Sequence, residues 1–276
     1  MIDTPHTIAE NLRKKLQGMK NAGVNDLIVD KKAAKLATMA KQKRIKNDLK
    51  AAPSKAAPSQ KTINAGAVFV ESQAAKKLGA YGGERAKRLA QMARDVANCA
   101  QCQLCSVRTQ TVYSRGNPNS PLMFIGEAPG ADEDAQGFPF VGRAGKLLDD
   151  IVAKGMQYNP DDVYICNVLK CRPPNNRNPE PDEIEACRSW LEAQIEIIDP
   201  VVIVAWGKFS AQWLLQSDAP IGKLRGRMWD VGGRKVVCTY HPAYLLRTPS
   251  AKTETWKDVQ IVMDYFGRGK PLPMRV

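Results

Sequence analysis

One stretch, at residues 121–148, limits what this chain can fold into more than any other: PLMFIGEAPGADEDAQGFPFVGRAGKLL. Its apolar run at 122–125 predicts a short buried strand, and Gly126 ends that strand where a loop must begin. Five glycines lie between residues 126 and 145. Because glycine has no Cβ, such a loop lets the backbone approach a ligand closely. The sequence therefore predicts a binding pocket at this loop.

Acidic and aromatic side chains accompany the glycines. Glu127 and Glu133 follow the predicted strand, and Phe140 comes a few residues later. A phosphate-binding loop has Lys with Ser or Thr after its glycines, and that pair is missing here. We expect a planar ring as the ligand, beside carboxylates suited to acid or water chemistry. Considered alone, the stretch is also compatible with a solvated acidic loop at the end of a core strand.

Predicted strands and helices alternate through the rest of the C-terminal part. Further strands are predicted at 163–169, 201–206 and 235–240, with helices between them. The unbroken apolar run VVIVAW is typical of a parallel strand that is covered on both faces. The predicted fold class is α/β: a doubly wound, mainly parallel four-stranded sheet with helices on both faces. In such folds the ligand site lies beyond the carboxyl ends of the strands.

Charge is distributed unevenly along the chain. Residues 1–98 contain 20 Lys+Arg against 8 Asp+Glu, whereas residues 99–276 contain 21 against 20. We interpret 1–82 as a basic, low-complexity N-terminal extension, largely disordered, with short helical patterns at 1–20 and 31–52 and a linker at 51–60. Residues 83–276 then form the α/β domain. The extension suits non-specific contact with DNA phosphates; a solubilising tail or a protein partner are the open alternatives.

Some classes of protein are disfavoured by composition. No run approaches the 18 apolar residues of a membrane span, and the first residues lack the apolar core of a signal peptide. We therefore expect an intracellular, cytoplasmic protein with no membrane partner, and a monomer.

Seven cysteines in such a chain favour metal ligation over a disulfide framework. Four of them have ligand-like spacing: Cys99, Cys102, Cys171 and Cys187. Four thiolates can hold either zinc or a [4Fe-4S] cluster, and spacing alone does not choose between them. The remaining three are interpreted as small core hydrophobes: Cys105, Cys166 and Cys238. Of these three, Cys105 is the one closest to the ligand pattern, since it extends the C-x-x-C motif to C-x-x-C-x-x-C.

Three motifs in this order resemble the uracil-DNA glycosylase superfamily, and more narrowly its iron-sulfur branch, family 4. They are GEAPG from Gly126 with the later Phe140, Asn167 within YICNVLKCRPP, and HPAYLLR from His241. The resemblance covers roughly residues 96–266. It implies a monofunctional DNA-repair enzyme that hydrolyses uracil from DNA and leaves an abasic site. It also implies a [4Fe-4S] cluster on the four cysteines, DNA as the partner, and a nucleoid-associated location.

For uracil in DNA as the substrate, the chemistry of base excision suggests roles within the pocket. Phe140 would stack on the flipped base, and the Asn167 amide would pair with O4 and N3–H of uracil. His241 would stabilise negative charge on the leaving uracil, and Glu127 would act on the attacking water or the cationic sugar. Glu133 would guard the C5 edge against thymine. The expected substrate-binding residues are Gly126, Ala128, Glu133, Phe140 and Asn167, and the expected catalytic residues are Glu127 and His241.

Four residues are expected to contact DNA. Leu245 matches the family's wedge, which fills the gap left by the flipped base, and Arg247 would hold an adjacent phosphate. The cluster would hold Lys170 and Arg172 near another phosphate. Three alternatives stay open: a broader deaminated-base glycosylase, a relative that traps abasic DNA covalently, and a non-catalytic DNA-binding protein with a four-cysteine metal site. The covalent branch would carry a basic, His-containing insertion after the cysteine at 171, and CRPPNNRNP has none.

Overall fold

The computed structural model describes residues 72–275. The helical patterns predicted at 1–20 and 31–52, and the linker at 51–60, lie outside the described residues. The sheet has five strands: β1 Leu122–Gly126, β2 Tyr164–Asn167, β3 Val202–Trp206, β4 Met228–Val231 and β5 Arg234–Thr239. Their order is β2-β1-β3-β5-β4, and all neighbours are parallel except β4 and β5. The predicted doubly wound α/β class is confirmed.

The predicted number of four strands is wrong, because β4 was not recognised. β4 is short and only partly buried, so it lacks the apolar run that marks the other strands. It forms an antiparallel hairpin with β5 around Gly232 and Gly233, both of which have positive φ. Two glycines between extended segments are a known hairpin signal. The Gly232-Gly233 dipeptide was therefore the sequence signal that could have predicted β4.

Nine α-helices surround the sheet in the described part of the chain. They are α1 Gln73–Ala80, α2 Gly83–Ala97, α3 Ala131–Gln136, α4 Arg143–Asp150, α5 Pro181–Ile198, α6 Lys208–Leu215, α7 Ile221–Leu224, α8 Pro242–Arg247 and α9 Lys252–Phe266. A π-helical turn, Ile151–Met156, continues α4. No helix between residues 72 and 275 is both long enough and apolar enough to span a bilayer.

The sheet separates two hydrophobic cores, which explains why its central strands are apolar without alternation. On one face, Met123 and Ile125 of β1 pack with α1, α2 and α5. On the other face, Leu122 and Phe124 pack with the π-helical turn and α9. Helices therefore cover both faces, as predicted.

Helix α1 lies before residue 83, where the sequence predicted that the domain begins. Ala74, Ala75 and Leu78 of α1 are buried in the same core as α2. The division at residue 82 stays a prediction, and α1 contributes to the core from its N-terminal side.

Strand register brings the functional motifs to one edge of the sheet. Gly126 at the end of β1 lies opposite Asn167 at the end of β2. β5 is parallel to both and ends two residues before His241. Residues that are more than a hundred positions apart therefore meet beyond the carboxyl ends of the strands.

Candidate active site

One cleft lies at this edge of the sheet. Glu127, Phe140, Asn167 and His241 line it, together with Arg247 from α8. Each of the three motifs identified in the sequence therefore contributes to a single cavity. Ala128 also lines the cleft, and Gly126 lies buried directly behind Phe140 and Asn167.

The absence of a side chain at Gly126 makes room for two of the lining groups. A Cβ on Gly126 would lie 2.3 Å from Asn167 Oδ1 and 2.5 Å from Phe140 Cζ. Both distances are far below van der Waals contact. Glycine is thus required here by the close approach of these two side chains, and the predicted approach of the loop to a ligand stays a prediction.

Asn167 is a buried amide with unused hydrogen-bonding capacity. Its side chain is almost fully buried, and Oδ1 has no hydrogen-bond partner among the residues that the structure describes. Leaving a buried polar atom unpaired costs about 1–3 kcal/mol. An amide held in this state on the wall of a cleft is suited to a ligand that supplies the missing donor.

His241 is held as a neutral donor. Its Nδ1 accepts a hydrogen bond of 3.2 Å from the backbone N–H of Ala243, so the ring proton of the neutral form lies on Nε2. Burial lowers the pKa of His241 to about 4, and Arg247 adds to the shift. The residue packs on Gly207, where φ is +104° and a Cβ would lie 3.1 Å from the His241 Cβ. Its ring is 5.5 Å from that of Phe140, centroid to centroid.

Glu127 is a carboxyl group in a poorly solvated position. Burial raises its pKa to about 7, and the ammonium of Lys208 opposes the shift. No hydrogen bond to the side chain of Glu127 comes from the described part of the chain. A carboxyl group with its pKa near neutrality can exchange protons with water at physiological pH.

Glu133 differs from Glu127 in its bonding, because both of its oxygens accept hydrogen bonds. Oε2 accepts from the N–H of Gly130 at 3.1 Å, and Oε1 accepts from Val141 and Gly142 at 2.9 Å each. The carboxylate therefore ties the start of α3 to the turn that carries Phe140. Glu133 also lines the cleft, and its predicted action at the C5 edge stays a prediction.

Two residues predicted to contact DNA are buried. Lys170 is 1% exposed, and its Nζ donates to the carbonyl oxygen of Asn167 at 2.6 Å. Leu245 is 0% exposed and packs between α4 and α9. Neither side chain faces solvent in this structure, and their contact with DNA stays a prediction. The exposed large hydrophobic side chains of α8 are Tyr244 and Leu246.

The other two predicted DNA contacts lie at the surface. Arg247 is exposed at the end of α8 and lines the cleft. Arg172 is partly exposed and donates to Asn176 Oδ1 at 2.7 Å. Their contact with phosphate stays a prediction.

Sequence reasoning missed the loop that forms the opposite wall of the cleft. Asn176, Arg177 and Asn178 lie there, and the guanidinium of Arg177 is held by the buried carboxylate of Glu183. Asn175 and Asn176 both have positive φ. The Asn-rich composition signalled a turn, but nothing in it indicated which side of the molecule the turn would face.

The cysteines form a second candidate site. One small cavity is lined by five of them, namely Cys99, Cys102, Cys105, Cys171 and Cys187. The four predicted ligands are thus brought together, and Cys105 lies beside them. Cys166 and Cys238 are buried elsewhere, and no disulfide joins any of the seven. Within residues 72–275, no three His, Cys, Asp or Glu side chains are grouped closely enough to surround a single metal ion.

Two cationic side chains adjoin these thiols. Arg108 Nη1 donates to Cys171 Sγ at 3.1 Å, and Lys170 lies on the cavity wall. The backbone of Lys170 also hydrogen-bonds Cys187. Burial raises the pKa of Cys171 to about 11, while Arg108 opposes this shift. The positive charges partly offset the cost of forming thiolates in a buried cavity.

Comparison with known proteins identifies the family. A model of the uracil DNA glycosylase superfamily matches residues 113–260, more than half of the chain. The chain belongs to the uracil-DNA glycosylase superfamily. All three motifs of the cleft fall within the matched residues.

Relatives within this superfamily cover most of the α/β domain. A type-4 uracil-DNA glycosylase from Archaeoglobus fulgidus is 41% identical over 186 residues, which are 64% of this chain and 93% of that protein. One from Thermotoga maritima is 48% identical over 157 residues, 56% of this chain and 81% of that protein. A type-5 enzyme from Pyrobaculum aerophilum is 28% identical over 197 residues, 59% and 87% of the two chains. The family resemblance predicted from the motifs is confirmed.

Proposed function

We propose that this protein is a uracil-DNA glycosylase of base excision repair, which hydrolyses the N-glycosidic bond of uracil in DNA and leaves an abasic site. The observation that carries the proposal is the unpaired, buried amide of Asn167 in the same cleft as Phe140, His241 and Glu127. The type-4 relatives support it at the level of the overall activity.

Recognition of uracil begins with the base outside the stack, because its glycosidic bond is inaccessible inside a duplex. Phe140 offers an apolar face for the flipped ring. Asn167 Oδ1 accepts from uracil N3–H, and Nδ2 donates to O4. Cytosine presents a donor at position 4 and an acceptor at N3, so it would leave the buried amide unsatisfied. Such a mismatch supports strong discrimination.

Bond cleavage uses His241 and Glu127 on different atoms. As the bond between C1′ and N1 breaks, its electron pair passes to uracil and negative charge accumulates on O2. The Nε2–H of neutral His241 stabilises that charge by a hydrogen bond. A water oxygen bonds to C1′, and Glu127 takes one of the water protons. The raised pKa of Glu127 suits a group that accepts this proton near neutral pH.

The cysteine cavity fits an iron-sulfur cluster in its donor chemistry. Thiolates are the ligands of such clusters, and Cys99, Cys102, Cys171 and Cys187 line one cavity with two cationic neighbours. These four thiolates would together hold the cluster. When bound, the cluster would supply cross-links between the segment before β1 and the segment from β2 to α5. Lys170 would join this site to Asn167 through its bond to the Asn167 carbonyl.

The test of the activity is cleavage of matched oligonucleotides that contain uracil opposite guanine, uracil opposite adenine, single-stranded uracil, hypoxanthine, or thymine opposite guanine. Protein purified without oxygen is incubated with each, and alkali converts abasic sites to strand breaks. Cleavage of the uracil substrates alone supports the proposal, and added cleavage of hypoxanthine indicates the broader glycosylase.

Two further outcomes would contradict hydrolysis of uracil. A protein-DNA adduct on a denaturing gel would indicate covalent trapping of the abasic product. DNA binding without cleavage, by protein with its full iron content, would indicate a non-catalytic binding protein.

A further inference from the structure

The turn that carries Phe140 adopts a backbone conformation that is costly for this residue. Phe140 has φ of +56°, in the left-handed region that costs non-glycine residues about 1–3 kcal/mol. Its carbonyl oxygen packs against α4, since a Cβ on Gly145 would lie only 1.8 Å from it. Other groups must therefore hold this turn in place.

Arg115 holds the carbonyl side of the turn. Its Nε donates to Pro139 O at 3.0 Å, and its Nη2 lies 3.4 Å from Phe140 O. Nη2 also pairs with Asp149 Oδ1 at 2.5 Å, so α4 orients the guanidinium. The side chain is 15% exposed, which means that these bonds are largely shielded from water. Glu133 holds the N–H side of the same turn.

The backbone of Arg115 is attached to the strand that carries the base-reading amide. Its N–H donates to Ile165 O at 3.0 Å and its carbonyl accepts from Ile165 N–H at 2.9 Å. Ile165 lies two residues before Asn167 in β2. One residue is therefore bonded both to the strand of Asn167 and to the turn of Phe140.

We infer that Arg115 is a positioning residue for base recognition, which fixes the Phe140 ring relative to the Asn167 amide. The inference rests on the proposed function of the cleft. It assigns Arg115 no contact with DNA or uracil, because its guanidinium is engaged by the turn and by Asp149. Its contribution passes entirely through Phe140.

A double-mutant cycle between Arg115→Gln and Phe140→Ala tests this pathway. Loss of positioning at a reacting centre can cost up to about 100-fold in rate, so we expect R115Q to lower kcat/KM on uracil DNA about 10- to 100-fold. Inhibition by free uracil should weaken in parallel. In the F140A background R115Q should have no further effect. Effects that multiply, or an R115Q enzyme with wild-type kcat/KM, would overturn the inference.

Two controls separate positioning from stability. Arg234→Gln removes a guanidinium paired with Asp199 at the opposite end of β5 and should leave uracil inhibition unchanged. Asp149→Asn keeps Arg115 but removes the carboxylate that orients it, and it serves as the test if R115Q folds poorly. It should weaken inhibition by free uracil, but less than R115Q does. Arg115→Lys is a third variant, which keeps the positive charge but loses the planar fork of the guanidinium. If D149N and R115K both fold and both are inhibited by uracil as strongly as the wild type, the inference is overturned.

Hydrogen exchange makes the test independent of catalysis. Amides of Val141 and Gly142 report the turn directly, and they should exchange faster in R115Q than in R234Q. Unchanged exchange at these two amides would refute the positioning role. A wild-type protein that cleaves no uracil DNA would instead refute the proposed function.

Discussion

Glu127 is the residue in the cleft whose protonation changes near neutral pH. Burial raises its pKa to about 7, so the carboxylate is lost as the pH falls through this value. We predict that kcat/KM for uracil DNA is level above about pH 7 and falls about tenfold per unit below it. His241, with its pKa lowered to about 4, stays neutral over this range and therefore causes no further change in kcat/KM with pH. A pH profile between about 5 and 9 measures this.

Glu127→Gln is the matched variant for that profile. It should lower kcat/KM by about 10²- to 10⁴-fold and remove the pH limb. It should also raise the free energy of unfolding at pH 8. At that pH the buried Glu127 is ionised, which destabilises the folded protein because its pKa is raised, and Gln cannot ionise. A limb that persists in E127Q would assign the titration to another group.

Gly126 allows a second prediction that concerns shape alone. In Gly126→Ala the new Cβ would overlap the positions of Asn167 Oδ1 and Phe140 Cζ. We expect weaker inhibition by free uracil, by about tenfold or more, with an unchanged pH profile. Gly222→Ala is the control, since nothing lies within 4 Å of its Cβ position. Equal uracil inhibition in both variants would show that uracil binding does not depend on the missing side chain at Gly126.

Among the elements, α8 determines which large hydrophobic side chains face solvent beside the cleft. Its helical register buries Leu245 and leaves Leu246 44% exposed. We predict that Leu246→Ala lowers cleavage of duplex uracil more than of single-stranded uracil, because only a duplex leaves a gap to fill. Leu245→Ala should instead lower the free energy of unfolding by about 2–5 kcal/mol and affect both substrates alike. Thermal unfolding and paired cleavage rates distinguish the two.

The cysteine cavity is the other element-level test. Cys171→Ser and Cys187→Ser should lose iron and visible absorbance when purified without oxygen, whereas Cys238→Ser should retain both. Cys238 is the control because it is a buried thiol outside the cavity. Cys105→Ser should also retain iron if Cys105 is only a neighbour. If C105S loses iron whereas serine variants of Cys99 and Cys102 retain it, Cys105 would replace them as the ligand from this segment.

Sequence patterns predicted the elements with long apolar runs and the residues that follow them. The ends of β1, β2 and β5 were recognised, so Glu127, Asn167 and His241 could be expected to meet. Lys170 was predicted to lie near a DNA phosphate beside the cluster, but its ammonium is buried, where it donates to the carbonyl of Asn167 and adjoins cysteines. The partners of such a residue are distant in sequence, and no local pattern predicts them.

Leu245 and Arg115 show the same limit in different ways. The wedge assignment depended on counting four residues from His241, but the side of α8 that faces the core depends on how the helix packs between α4 and α9. Arg115 lies in no motif, and its importance comes from bonds to a turn about 25 residues away. Sequence separation hides contacts of this kind.

At the scale of the whole molecule, the basic N-terminal extension should affect binding more than chemistry. Residues 1–67 contain 14 Lys+Arg and 5 Asp+Glu. We predict that deleting them weakens DNA binding, flattens the dependence of log K on log salt, and leaves kcat unchanged. Binding titrations at several salt concentrations measure the slope, and a melting temperature checks the truncated protein. An unchanged slope would favour a protein partner or a solubilising role.

Gly207 has a consequence for the size of the substrate. β3 lies between β1 and β5 and ends just before this glycine, so the first residue after β3 places no Cβ beside His241. Because neighbouring strands are spaced about 4.8 Å apart, the backbones that carry these two residues are separated by about 10 Å. That width is two strand intervals. A larger residue at position 207 would press on His241 and narrow this opening, whereas no side chain at that position could move the two backbones further apart.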